Sequence, residues 1–134
     1  MQHFTHYFLH LVFPFLIAFI FFRKDWKRVY FILLATMLID LDHLFANPIF
    51  QHNRCSINFH PLHTYYAAIG YFVLLFLKKP LNIIGIGLLL HLTTDLIDCV
   101  FTYSSCKSCL NNAPAIKLIE GISKIIGLNW KTRL

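Results

Sequence analysis

Charge is scarce in this 134-residue chain, and negative charge most of all. Charged residues make up 13% and apolar residues 57%, against about 25% and roughly 45–50% in an ordinary globular domain. This is not the composition of a soluble domain, and the length allows one domain at most. Repeats and low-complexity tracts are absent. The strict alternation that a membrane strand requires is missing too, so the apolar runs read as helices. The N-terminus has no basic n-region, and positive charge follows the first apolar run instead; the expectation is an uncleaved anchor with its N-terminus outside. No Ser-His-Asp or Cys-His arrangement stands out, since Thr93, Thr94 and Ser56 lack supporting context. The net charge of +6 does not indicate nucleic acid, because the bases cluster beside apolar runs, at Arg23/Lys24/Lys27/Arg28 and Lys78/Lys79. That placement suits anionic lipid headgroups and control of membrane topology.

What is present is apolar and helical. Four segments, about 7–22, 29–46, 62–77 and 81–103, approach or exceed the roughly 17–25 residues that cross about 30 Å of hydrocarbon. Pro14 interrupts the first, as membrane helices tolerate. Gly85 and Gly87 permit close packing of the fourth. The predicted fold is all-α: an integral membrane four-helix bundle over residues 1–110, then an amphipathic segment over 111–134. Within that segment, Ile116, Leu118, Ile119, Ile122, Ile125 and Ile126 oppose Lys117, Glu120, Gly121 and Lys124 at helical spacing. This suits a helix lying in the interface or one capping the bundle. Loops one and three are short and basic, which puts them on the cytoplasmic side, with the middle loop (Asn47–Pro61) and both termini outside.

Against this background the few acids are conspicuous. Asp40, Asp42, Asp95 and Asp98, four of only six, lie inside hydrophobic runs with His43 and His91 beside them. Ionisable groups in such surroundings are costly, and are kept when they bind something or each other. His3/His6/His10 and His60/His63 stand at the ends of the other two runs. At about 1.5 Å per residue, His10, Asp40, His43, His63, His91 and Asp95 all lie about 18–24 Å from the nearest basic anchor. The predicted result is one layer in the outer half of the bilayer. Asp40 and His43 share a helix face, as do His91, Asp95 and Asp98, whereas Asp42 points away unless the helix end is distorted. Imidazole nitrogen and carboxylate oxygen suit a divalent metal, zinc foremost, with manganese and iron as alternatives. The structural rivals are interhelical pairing for His91/Asp95/Asp98, a helix-end cap for Asp40/Asp42/His43, and solvated capping for His63. His3 and His52 read as solvent-exposed, and Tyr65, Tyr66 and Tyr71 as interfacial aromatics. Cys55, Cys99, Cys106 and Cys109 fall toward the outer side and read as disulfide staples, with three complete connectivities open.

The motifs IDLDH (Ile39–His43), HPLH (His60–His63) and HLTTD (His91–Asp95) resemble those of the YdjM-like family of bacterial inner-membrane, metal-dependent hydrolases. That family has an early His, here His6 or His10, then D-x-D-H, H-R-G-x-x-H-S and H-x-x-x-D. The middle element departs here: His60 and His63 are three apart rather than five, and the Arg-Gly and serine are missing. His63 matches the second histidine of that element. The resemblance spans roughly residues 6–98 and implies a multi-pass protein of the bacterial inner membrane.

The leading expectation is a membrane-embedded hydrolase acting on a lipid or lipid-linked substrate through a metal-activated water. His10, Asp40, His43, His63, His91 and Asp95 are the candidate ligands, and Asp42 or Asp98 the candidate general base. The alternatives are a non-haem iron oxidoreductase and a non-catalytic metal-binding or structural membrane subunit. For the first, the paired His-His boxes of membrane hydroxylases are absent.

Overall fold

The computed structural model describes residues 2–47, 49 and 54–127. The described residues are helical, with no strand among them. The first helix is one apolar rod in three parts: α1 (Gln2–Tyr7), a π turn (Phe8–Val12) and α2 (Phe13–Phe21). Pro14 has no N–H to offer the His10 carbonyl, and the Phe13 N–H reaches back five residues to the Phe8 carbonyl. Proline here widens the turn that carries His10.

The second apolar run begins as α3 (Trp26–Ala35) and continues as a ten-residue 3₁₀ helix, Thr36–Phe45. Runs of that length are uncommon because 3₁₀ hydrogen bonds are poorer. At about 2.0 Å per 3₁₀ residue and about 1.5 Å per α residue, the whole segment extends about 35 Å. The third run is shorter than its apolar stretch suggests. A 3₁₀ turn (Pro61–His63) leads into α4 (Tyr65–Leu74), where the Thr64 hydroxyl caps the helix by accepting the Ala67 N–H at 3.2 Å. Capping therefore falls to Thr64, and His63 is buried. The long α5 (Leu81–Ser105) touches every other helix except α2 extensively, and a 3₁₀ turn (Lys107–Leu110) joins it to α6 (Ile116–Ile125).

Phe4–Phe21 and Leu81–Ser105 are long and apolar enough to cross a membrane. Tyr65–Leu74 is apolar but, at about 15 Å, covers half that distance. Gly87 lets α5 close on Thr36, where a Cβ would come within 2.6 Å of the hydroxyl; at Gly85 a Cβ would meet the Tyr71 carbonyl at 2.8 Å. The expected close packing is present at both.

Apolar packing forms two clusters. One joins α2, α3 and the start of α5 through Ala18, Val29, Leu33 and Ile83. The other joins Cys55 and Ile57 of the middle loop to Cys99, Val100, Leu110 and Ile119. Along α5, His91 and Asp95 fall between Ile83 of the first and Val100 of the second. Ile119 is fully buried in the second cluster, so α6 packs over the Cys55–Cys99 end of that cluster, while Ile125 and Ile126 stay exposed. Disulfides link Cys55 to Cys99 and Cys106 to Cys109, one of the three connectivities the sequence left open. His52, the side chain of His3 and residues 128–134 lie outside the described residues.

Candidate metal centre

Four elements deliver imidazoles and carboxylates to one place. The π turn presents His10, the long 3₁₀ helix Asp40, the turn before α4 His63, and α5 both His91 and Asp95. The ring centroids of His10 and His91 are 4.7 Å apart, and those of His63 and His91 are 5.3 Å apart.

Asp40, His63, His91 and Asp95 form the tightest group, with ligand atoms all within 4.8 Å of one another. His63 Nε2 lies 3.0 Å from Asp95 Oδ2 and 3.6 Å from Asp40 Oδ1. His91 Nε2 lies 3.4 Å and 3.1 Å from the same two oxygens. A tetrahedral ion with bonds of about 2.0–2.2 Å has ligand–ligand edges of about 3.3–3.6 Å. These four separations therefore bracket the edges of a zinc-sized tetrahedron.

The other nitrogen of each ring shows what the Nε2 atoms face. His63 Nδ1 lies 3.0 Å from Asp42 Oδ2, which also accepts the Leu62 N–H at 2.9 Å. His91 Nδ1 lies 3.4 Å from the Met37 sulfur. With Nδ1 protonated and donating, a neutral ring turns its Nε2 lone pair toward two carboxylates. Lone pair against carboxylate is repulsive, so a proton or a cation belongs between them. The two carboxylates, Asp40 and Asp95, match the charge of a divalent ion.

A second group, His6, His10 and Asp95, shares Asp95 with the first. His10 is buried, with its ring between those of His6 and His91, yet neither of its ring nitrogens has a hydrogen-bond partner. A buried imidazole left wholly unsatisfied is costly unless a ligand binds it. His6 Nδ1 is paired to Asp98 Oδ2. A third group, Asp42, His43 and His60, lies beside the first. There the His43 and His60 rings approach to 3.8 Å. Burial, with some repulsion from His43, pushes His60 down to about 4, which keeps its ring neutral with a lone pair free.

Most of the expected ligands thus converge. His10, Asp40, His63, His91 and Asp95 meet directly, and His43 stands one group away. Asp42 and Asp98, expected as a general base or, where an aspartate does not ligate, as the acceptor that fixes a ligand histidine, are each engaged on a histidine Nδ1. Asp42 takes the course expected of it where the helix end is distorted. In a 3₁₀ helix successive residues step by about 120° rather than 100°, and the side chain turns inward to meet His63 and Leu62. Two contributors had little weight in the sequence. His60 departs from the spacing of the resembling motif, and His6 competed with His10 on one stripe; only the packing separates them. Tyr71, read as an interfacial aromatic, donates its hydroxyl to the Leu62 carbonyl at 3.0 Å and so braces the His63 turn.

A family profile matches residues 1–102, a stretch holding every member of the three groups. The chain belongs to DUF6122, a family of unknown function. The match ends within α5 and leaves α6 outside it. No curated protein and no solved structure matches the chain.

Proposed function

We propose that the chain is an integral membrane metallohydrolase acting on a lipid or lipid-linked ester or phosphoester. The observation that carries this reading is the Asp40/His63/His91/Asp95 group, whose separations and charge suit one divalent ion. Zinc suits the donor set best, with manganese and iron as alternatives. An ion held there supplies a Lewis acid and makes water a competent nucleophile near neutral pH.

The chain's own residues divide the remaining work. Asp42 and Asp98 fix the rings of His63 and His6 and so aim their other nitrogens. His91 and Asp95 are deep, whereas the Asp40 side chain is 47% exposed and forms the accessible edge of the group. His63, His91 and Asp95 would hold the ion and leave the fourth place, beside the exposed Asp40, to water. Asp40 is then placed to accept that water's proton and return it to the leaving oxygen.

Membrane embedding of all four apolar runs is part of the proposal. Large apolar side chains stay exposed on each of them, among them Phe21, Phe31, Leu41, Tyr66 and Phe76, which suits acyl chains as solvent. The N-terminus, the middle loop and α6 face outward, and a disulfide-permissive compartment on that side agrees with Cys55–Cys99 and Cys106–Cys109. The bacterial inner membrane is the setting implied by the YdjM-like motifs. A lipid substrate is favoured by a groove of about 510 Å³ lined by Ile32, Ala35, Ile39, Leu62, Tyr71 and Leu88. Ile39 and Leu62, which line the groove, are the chain neighbours of Asp40 and His63.

The test is hydrolysis of phospholipids in mixed micelles by zinc-loaded protein. The reading expects activity that chelation removes, that added metal restores, and that Asp95→Asn lowers at least about 100-fold. A metal-loaded protein inert toward both the acyl-ester and the phosphoester bonds of these lipids would remove the hydrolase assignment and leave the metal centre standing.

A further inference from the structure

Asp42, His43 and His60 are not needed to complete the group around Asp95, yet they converge within 4.8 Å of one another. The Asp42 carboxylate is almost completely buried, and its two oxygens face different ways. Oδ2 holds His63 and the Leu62 N–H. Oδ1 has no hydrogen bond of good geometry and lies 3.2 Å from His43 Nδ1. That separation falls near the edge of a zinc-sized tetrahedron, as the separations around Asp95 do. On its far side, His43 Nε2 lies 3.0 Å from the Ser56 hydroxyl, while Nδ1 also lies 3.2 Å from the Asp40 backbone carbonyl, so a proton or a cation at Nδ1 faces two oxygen acceptors. His60 is 2% exposed, and its Nε2 is buried without a partner.

An unfilled carboxylate oxygen, a ring pre-oriented by a serine and a buried ring with an orphan nitrogen are the parts of a cation site. They are poor parts for a plain hydrogen-bond network. Asp42 has one lone-pair direction left over, and His60 Nε2 has nothing to bond.

We infer that Asp42, His43 and His60 form a second metal position, distinct from the one around Asp95 and taking one transition-type divalent ion through two imidazoles and a carboxylate. Three protein ligands leave a fourth coordination place open. The position ties the middle loop to the long 3₁₀ helix, since His60 and Ser56 come from the former and Asp42 and His43 from the latter. It is coupled to the main centre through a single carboxylate, with Asp42 Oδ1 facing this position and Oδ2 aiming His63. The inference rests on the proposed metal centre for its context but on separate residues for its ligands.

The test is zinc per polypeptide, measured on zinc-loaded and desalted protein in detergent, for wild type, His60→Ala, Ser56→Ala and Asp95→Asn. The inference expects His60→Ala to hold one equivalent fewer than wild type. Ser56→Ala, a milder change that removes no ligand but takes the hydroxyl away from His43 Nε2, weakens that same equivalent about 10-fold in chelator competition. Asp95→Asn loses zinc from the main centre and keeps the equivalent that His60→Ala lacks. Wild-type zinc content and wild-type competition in both His60→Ala and Ser56→Ala overturn the second position, whatever Asp95→Asn does. Loss confined to His60→Ala and Ser56→Ala, with none from Asp95→Asn, keeps the second position and overturns the main centre.

Discussion

At the scale of single residues, the account turns on what each imidazole does with its second nitrogen. His63 gives Nδ1 to Asp42, His6 gives Nδ1 to Asp98, and His43 Nε2 meets the Ser56 hydroxyl. Partners of this kind fix the tautomer and orientation of a ligand ring. Asp42→Asn removes the charge and keeps the shape, so zinc affinity is expected to fall about 10–100-fold with the fold retained, measured by competition with a chromophoric chelator. Asp42→Ala is a different change, because it strands the Leu62 N–H and a buried ring. It should cost about 1–3 kcal/mol of stability in addition, read from thermal unfolding in detergent. Equal affinities for wild type and Asp42→Asn would show that the Asp42–His63 contact has no part in metal binding. Residue identities at the site were largely legible in the sequence, because an aspartate inside an apolar run has few reasons to be there. Their division of labour was not. Whether an aspartate ligates or steers a ligand depends on a few ångströms of packing that spacing along the chain does not encode.

At the scale of elements, the informative features are the two irregular helices and the two close glycine contacts. Helical periodicity correctly put Asp40 with His43 and His91 with Asp95. It misdirected Asp42, because the period of Thr36–Phe45 is three and not 3.6. Nothing local dictates that change. Its reward is tertiary: Asp42 reaches His63, and Thr36 packs under Gly87 with its hydroxyl on the Leu33 carbonyl at 2.6 Å. The π turn was more nearly legible, since Pro14 sits four residues after His10 and cannot bond to its carbonyl. Gly85→Ala brings a Cβ against the Tyr71 backbone carbonyl, which cannot swing aside as a side chain can. It should lower stability by about 1–3 kcal/mol. Gly121→Ala, in open space on α6, should instead raise stability by up to about 1 kcal/mol through helix propensity. Thermal unfolding of both variants checks the pair, and a Gly85→Ala variant at least as stable as wild type contradicts the packing described for α5.

At the scale of the whole molecule, the sequence foresaw a helical chain with its ionisable groups gathered in one layer. In the structure that layer lies along α5 between two apolar clusters. The ruler of basic anchors brought these groups to one level although Thr36–Phe45 rises about 2.0 Å per residue, because the five 3₁₀ residues from Thr36 to Asp40 add only about 2.5 Å. The length of the third helix was not legible, since Tyr65–Leu74 is shorter than the apolar run that contains it and hydropathy does not mark where a helix stops. The proposed topology is open to a direct check with a reporter enzyme that folds only outside the cytoplasm. Joined after Ile49 it should be active, and joined after Lys79 inactive; the reverse pattern inverts the topology and leaves the site intact. The central claim, that the histidines and aspartates of this layer hold metal, has a more direct test. Protein purified from metal-replete cells should carry at least one equivalent of a divalent transition ion, and His91→Ala and Asp95→Asn should each lose it while remaining folded. Metal-free wild-type protein under those conditions, or variants that retain the full wild-type content, would contradict the account.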